Sequence, residues 1–130
     1  MSTKKLQLYK CNICGNLVQV LLNGVGELVC CEKPMELLTP RKEKGNELAE
    51  KHTPKVEKQD GKFIIKLNEH PMKPEHYIQF IEGISKDKKE IYLKYFEPNQ
   101  PAEFEIKTPE INLDAIEYCN IHGLWRNIDD

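Results

Sequence analysis

The chain has no apolar run long enough to cross a bilayer, and its basic start, MSTKKLQLYK, lacks the apolar stretch of a secretory signal. It also lacks an excess of either charge. Against 19 Lys and Arg stand 21 Asp and Glu, a formal net charge of −2. No global field therefore favours nucleic acid or a membrane surface, and any steering of an ion has to be local. Internal repeats and low-complexity tracts are missing. An even set of cysteines is missing too: there are 5, which argues against a full disulfide framework. The expected compartment is the cytoplasm, where thiols stay reduced and clustered cysteines more often hold metal.

What is present fits a globular protein: 130 residues, 39% apolar and 31% charged. Residues 1–38 carry four of the cysteines and read as short strands joined by glycine-containing turns. A module this small has little core of its own, and a bound metal would supply the missing stability. Residues 39–51 are polar and read as a linker, with a short helical turn in GNELAEK. From residue 52 onward the pattern is alternating. GKFIIKL sets Phe63, Ile65 and Leu67 on one face, and HYIQFIEGI sets Ile78, Phe80 and Ile84 on one face. EIYLKYFEP alternates Ile91, Leu93 and Tyr95, and AEFEIKT alternates Phe104 and Ile106. Turn signals separate these runs, so residues 52–130 are expected to form an antiparallel β-sandwich.

Two groups of residues carry the chemistry. Cys11 and Cys14, two residues apart, join the adjacent pair Cys30 and Cys31 in a four-thiolate set. The first spacing lets two thiolates approach one ion from a tight turn. The second pair reaches the same ion only if the backbone turns sharply. Zinc and iron both accept four thiolates, and spacing does not choose between them.

The second group is the 4 histidines, His52, His70, His76 and His122, with the isolated Cys119. Each histidine taken singly reads more readily as a surface or satisfied core residue. As a set they differ, because Cys119 and His122 are spaced to face one ion and His70 and His76 lie close together. Four imidazoles and a thiolate exceed what zinc takes, and suit ferrous iron with one position left open. An electron carrier favours a closed ligand set, whereas an enzyme needs such an opening. A zinc-stabilised interaction domain would leave Cys119 and the histidines without a role.

The stretches YKCNICGN, GELVCCEKPM, EKHTP, HPMKPEHYIQFIE and YCNIHGLW together resemble the desulfoferrodoxins, the two-iron superoxide reductases. The resemblance implies an all-β chain: a desulforedoxin-like module, then an immunoglobulin-like antiparallel sandwich. It implies two iron ions, one on Cys11, Cys14, Cys30 and Cys31. The other would have His52, His70, His76 and His122 in a plane and Cys119 axial. It also implies one-electron reduction of superoxide to hydrogen peroxide without release of dioxygen, the alternative being a non-catalytic two-iron electron carrier. Lys51 would then attract the anion, and Glu50 would serve as sixth ligand of the oxidised centre. The implied partners are a rubredoxin-like electron donor and a second copy of the chain.

Overall fold

The computed structural model describes residues 2–67 and 70–127. The chain divides into two compact units, Met1–Thr39 and Pro40–Asp130. Both are built from strands, as expected, with one short helix in the second.

In the first unit, β1 (Leu8–Lys10) lies between β2 (Leu17–Gln19) and β5 (Glu36–Leu38), antiparallel to each. Leu8, Cys11 and Val20 are its buried apolar side chains, a small core for a module of this size. A separate hairpin joins β3 (Val29–Cys30) to β4 (Lys33–Pro34). Its two central residues, Cys31 and Glu32, have φ of 54° and 64°. A hairpin turn with two left-handed residues matches the right-handed twist of its strands. For L side chains that backbone costs about 1–2 kcal/mol per residue. The sharp bend required by adjacent cysteines is thus present, and it is unfavourable by itself.

The second unit opens with α1 (Glu47–His52), capped by Asn46, whose side chain accepts from the Ala49 N–H at 2.7 Å. The helix is longer than one turn and delivers His52 at its end. Two antiparallel sheets follow. One has the order β10 (Glu103–Lys107), β7 (Lys62–Lys66), β6 (Lys55–Gln59). The other has the order β12 (Gly123–Arg126), β11 (Leu113–Cys119), β8 (Ile78–Ser85), β9 (Ile91–Tyr95). Their inner faces meet in one core: Phe63, Ile65 and Ile106 from the first sheet, Ile78, Ile81, Leu113 and Ala115 from the second. The faces expected for GKFIIKL and AEFEIKT point inward, with Phe63, Ile65, Leu67 and Ile106 buried and Phe104 packed against the core.

One expected face is corrected, and another row is found to point outward. In β8 the register against β11 steps from Tyr118–Phe80 to Cys119–Ile78, so Gln79 is an extra residue. This bulge flips the alternation. Ile78 and Ile81 therefore share the core, while Phe80 turns to the other face and stacks on Tyr118 with ring centroids 5.8 Å apart. In β9 the alternation exists but faces outward: Ile91, Leu93 and Tyr95 are 37%, 45% and 73% exposed. Tyr92 and Phe96 pack inward instead.

Gly83 is where the sheets come closest. A Cβ there would lie 2.7 Å from Ile106 Cδ1 and 3.2 Å from Ile65 Cδ1. Gly83→Ala is expected to destabilise the fold by about 1–3 kcal/mol through overpacking. Chemical denaturation would show a lowered midpoint with an unchanged slope.

Candidate metal centres

The first cluster arises from a knuckle and a hairpin. After Cys11 the chain folds back through a Gly15 N–H to Cys11 O bond of 2.9 Å and a Cys11 N–H to Asn16 O bond of 2.8 Å. This presents Cys11 and Cys14 towards the Cys30–Cys31 turn. All four sulfurs lie within 4.8 Å of one another. The Cys14–Cys30 and Cys30–Cys31 sulfur separations are 3.5 and 4.0 Å. A disulfide needs about 2.05 Å, so none is formed. Metal–sulfur bonds of about 2.3 Å in a tetrahedron put sulfurs about 3.8 Å apart, which these separations bracket. N–H groups of Cys14 and Ile13 hold the Cys11 thiol low, at about 6. The neighbouring thiols Cys14, Cys11 and Cys30 push Cys31 up to about 12. One thiolate forms readily and a second beside it does not, so a cation is needed to hold four.

The second cluster gathers distant parts of the second unit. His52 comes from the end of α1, and His70 and His76 from the segment before β8. Cys119 ends β11, and His122 lies in the three-residue loop before β12. Donor atoms of His52, His76, Cys119 and His122 lie within 4.8 Å of one another. His70 joins them through an Nε2–Nε2 separation of 3.1 Å from His52. The four rings form a closed circuit. Adjacent centroids in the order 52, 70, 76, 122 are 4.6, 4.7, 5.0 and 4.7 Å apart, and the 52–76 diagonal is 6.0 Å. Cys119 is wholly buried, its sulfur 4.0 Å from His122 Nδ1.

Hydrogen bonds fix the tautomers. His52 Nδ1 lies 2.8 Å from Leu48 O, and His70 Nδ1 lies 2.6 Å from Pro71 O. A carbonyl can only accept, so both Nδ1 atoms carry the proton and both Nε2 atoms are bare acceptors. Two facing acceptors 3.1 Å apart repel unless a cation lies between or beside them. His76 Nε2 is buried and has no partner. Such orphaned acceptors beside carbonyl-anchored imidazoles are the signature of a metal site. Burial lowers His52 and His70 to about 4 and also lowers His76, keeping the imidazoles neutral and ready to ligate. Burial raises Cys119, while the N–H groups of His122 and Ile121 pull it down. These N–H groups are the sulfur's donors, which the sequence did not reveal.

Other surrounding residues also escaped the sequence reading. Trp125 stacks on His52 with centroids 5.1 Å apart, and its Nε1–H donates to His122 O at 3.1 Å. Arg41 covers the indole at 4.2 Å. The single tryptophan, three residues after the last histidine, was the available signal. Glu117 is wholly buried with both carboxylate oxygens unpartnered, and burial pushes it well above the usual carboxylate range. Lys51 is 37% exposed and pairs with Glu47 at 3.1 Å. Its positive charge is felt at His76, whose proton affinity it lowers. Glu50 is exposed on α1 and is not among the grouped donor atoms.

A four-thiolate centre and a four-imidazole, one-thiolate centre define a two-centre metalloprotein in which each donor set fits iron. The sequence matches the pattern for the desulfoferrodoxin N-terminal domain over residues 3–38 and that for desulfoferrodoxin over residues 44–128. The chain belongs to the desulfoferrodoxin family. It is 42% identical to a desulfoferrodoxin of Desulfarculus baarsii over 95% of this chain and 96% of that one. It is 44% identical to a desulfoferrodoxin homolog of Methanothermobacter thermautotrophicus over 95% and 98%. The superoxide reductase from Treponema pallidum shares the fold, with a TM-score of 0.70 over 95% of this chain and 98% of that one at 22% identity.

Without metal, His52 and His70 bind protons near 4 in the folded protein against 6.5 when exposed. The unfolded chain therefore takes up more protons between these values, and folding stability falls as pH drops from 6.5 towards 4. Thermal denaturation of the metal-free protein across this range is expected to show a falling midpoint. A flat midpoint would contradict the buried, neutral imidazoles.

Proposed function

We propose that the protein is a superoxide reductase, converting superoxide, one electron and two protons into hydrogen peroxide. The observation that carries the reading is the second cluster: five convergent donors, four imidazoles and one buried thiol, with no sixth donor grouped with them among the described residues. Iron held by His52, His70, His76, His122 and Cys119 would supply the electron for reducing a small anion. Cys119 is wholly buried, whereas His70, His76 and His122 retain partial exposure, so the anion's approach is from the histidine side.

The side chains divide the remaining work. Lys51, at the end of α1, offers a compact cation that draws in superoxide and stabilises the charge developing on peroxide. The Cys119 thiolate would donate electron density to an iron held there, tempered by the Ile121 and His122 N–H groups. The exposed Glu50 carboxylate would serve as a further ligand of the oxidised iron. Solvent on the exposed side supplies the two protons. The four-cysteine centre passes electrons onward or holds its module together. A rubredoxin-like protein in the cytoplasm is the proposed donor. Among the described residues no helix is long and apolar enough to cross a membrane. A homodimer is the proposed assembly, supported by the outward row of Ile91, Leu93 and Tyr95.

Cys119→Ser exchanges a soft donor for a hard one. It is expected to abolish reduction of superoxide and leave the four-cysteine centre's absorption intact. Near-normal turnover in this variant would remove Cys119 from the mechanism.

Lys51→Ile is expected to slow the second-order reaction with superoxide by about tenfold, within the range of local steering. The iron spectrum should be unchanged, and the wild-type rate should fall as salt rises. Pulse radiolysis at several ionic strengths measures both. Equal rates for the two proteins, without salt dependence, would leave Lys51 as only a partner of Glu47.

A further inference from the structure

Asn120 stands between two members of the second cluster, Cys119 and His122, yet its side chain is spent on a different segment. Its Oδ1 accepts from the Tyr77 N–H at 2.9 Å, and its Nδ2 donates to Glu75 O at 3.2 Å. Its own N–H donates to Tyr77 O at 3.2 Å. These bonds bracket His76, gripping the chain one residue before it and one residue after it. His76 itself is tied by paired bonds of 3.0 Å to Lys73, which close the Lys73–His76 turn upon itself. That turn therefore moves as a unit, and Asn120 is what attaches it to the loop after β11.

We propose that Asn120 is a positioning residue: its carboxamide sets the register of the His76 segment against the Cys119–His122 loop, and so fixes the distance between donors contributed by separate segments. The chemistry favours an amide at this point. One acceptor and one donor are needed on a single short side chain, a backbone N–H on one side and a backbone carbonyl on the other. Aspartate supplies the acceptor alone, and alanine supplies neither. The distance to be fixed is a demanding one. His76 Nε2 is buried and unpartnered, so a small displacement leaves it both unligated and dry.

The proposal rests on the reading of this cluster as a metal centre, and the four-cysteine centre in the same chain serves as an internal control. Iron-loaded wild type, Asn120→Ala and Asn120→Asp are challenged with EDTA. Retained iron at each centre is followed by metal analysis and visible absorption, and Tyr77 amide exchange is measured by NMR on the zinc-substituted protein. Asn120→Ala is expected to weaken the second centre by roughly 10–100-fold, the usual cost of losing a group that orients a ligand. It should leave the four-cysteine centre unchanged and speed Tyr77 exchange. Asn120→Asp keeps the bond to the Tyr77 N–H, so its amide protection should persist while iron retention falls between the other two. Retention within about twofold of wild type in either variant would overturn the proposal, since an orienting group costs more than that. Equal weakening of both centres would also overturn it, because it would mark a general loss of stability. If Asn120→Ala does not fold, the aspartate variant alone decides. A wild-type protein that takes up iron only at its cysteines would instead sink the metal-centre reading itself.

Discussion

Two imidazole nitrogens that can only accept, held 3.1 Å apart beside a third that is buried without a partner, form the constraint on which the second unit depends. Without a cation that arrangement is repulsive and poorly solvated. The protein nonetheless builds it in advance. Leu48 O and Pro71 O fix two tautomers, Trp125 supports one ring and the backbone of another ligand, and burial keeps protons away. The fold pays for this preorganisation through the packing of its two sheets, whose core ends directly at Cys119.

The bulge at Gln79 links that core to the site. It lets β8 keep Ile78 inside next to Cys119 and still bury Ile81 further along. Without the extra residue, one of these side chains would point outward. The segment bearing His70 and His76 enters the sheet at the same place, so strand register and donor placement are set together. The first unit solves its problem differently. Its core is small, and the left-handed backbone at Cys31 and Glu32 is unfavourable alone. Four sulfurs around one ion compensate for both.

Much of this was legible in the sequence because donor chemistry is local and scarce. Cys11 and Cys14 with Cys30 and Cys31 announced one centre, and the hairpin that adjacent cysteines demand is found at that pair. The lone Cys119 with the histidines announced the other. The existence of β7 and β10 followed from alternation. What did not follow were properties of pairing between strands. A period of two cannot show an inserted residue, so Phe80 was assigned to the wrong face. Nor can it say which face is covered: the alternation of Ile91, Leu93 and Tyr95 gave no sign that this row points outward. The groups that tune the site, the Ile121 and His122 N–H donors and the Trp125 stack, lie in the backbone and in tertiary contacts that composition does not encode.

The spread of the ligands along the chain has a consequence for how the protein is made. The four cysteines fall within residues 11–31, inside one small module, so its ion can be captured once a short stretch of chain exists. The other centre needs His52 and His122 together, and the latter sits in the final hairpin of a sandwich closed by long-range pairing. Its pocket does not exist until the chain as far as His122 has emerged and folded. The two irons therefore have different histories: one is a participant in folding, the other a late guest in a finished scaffold.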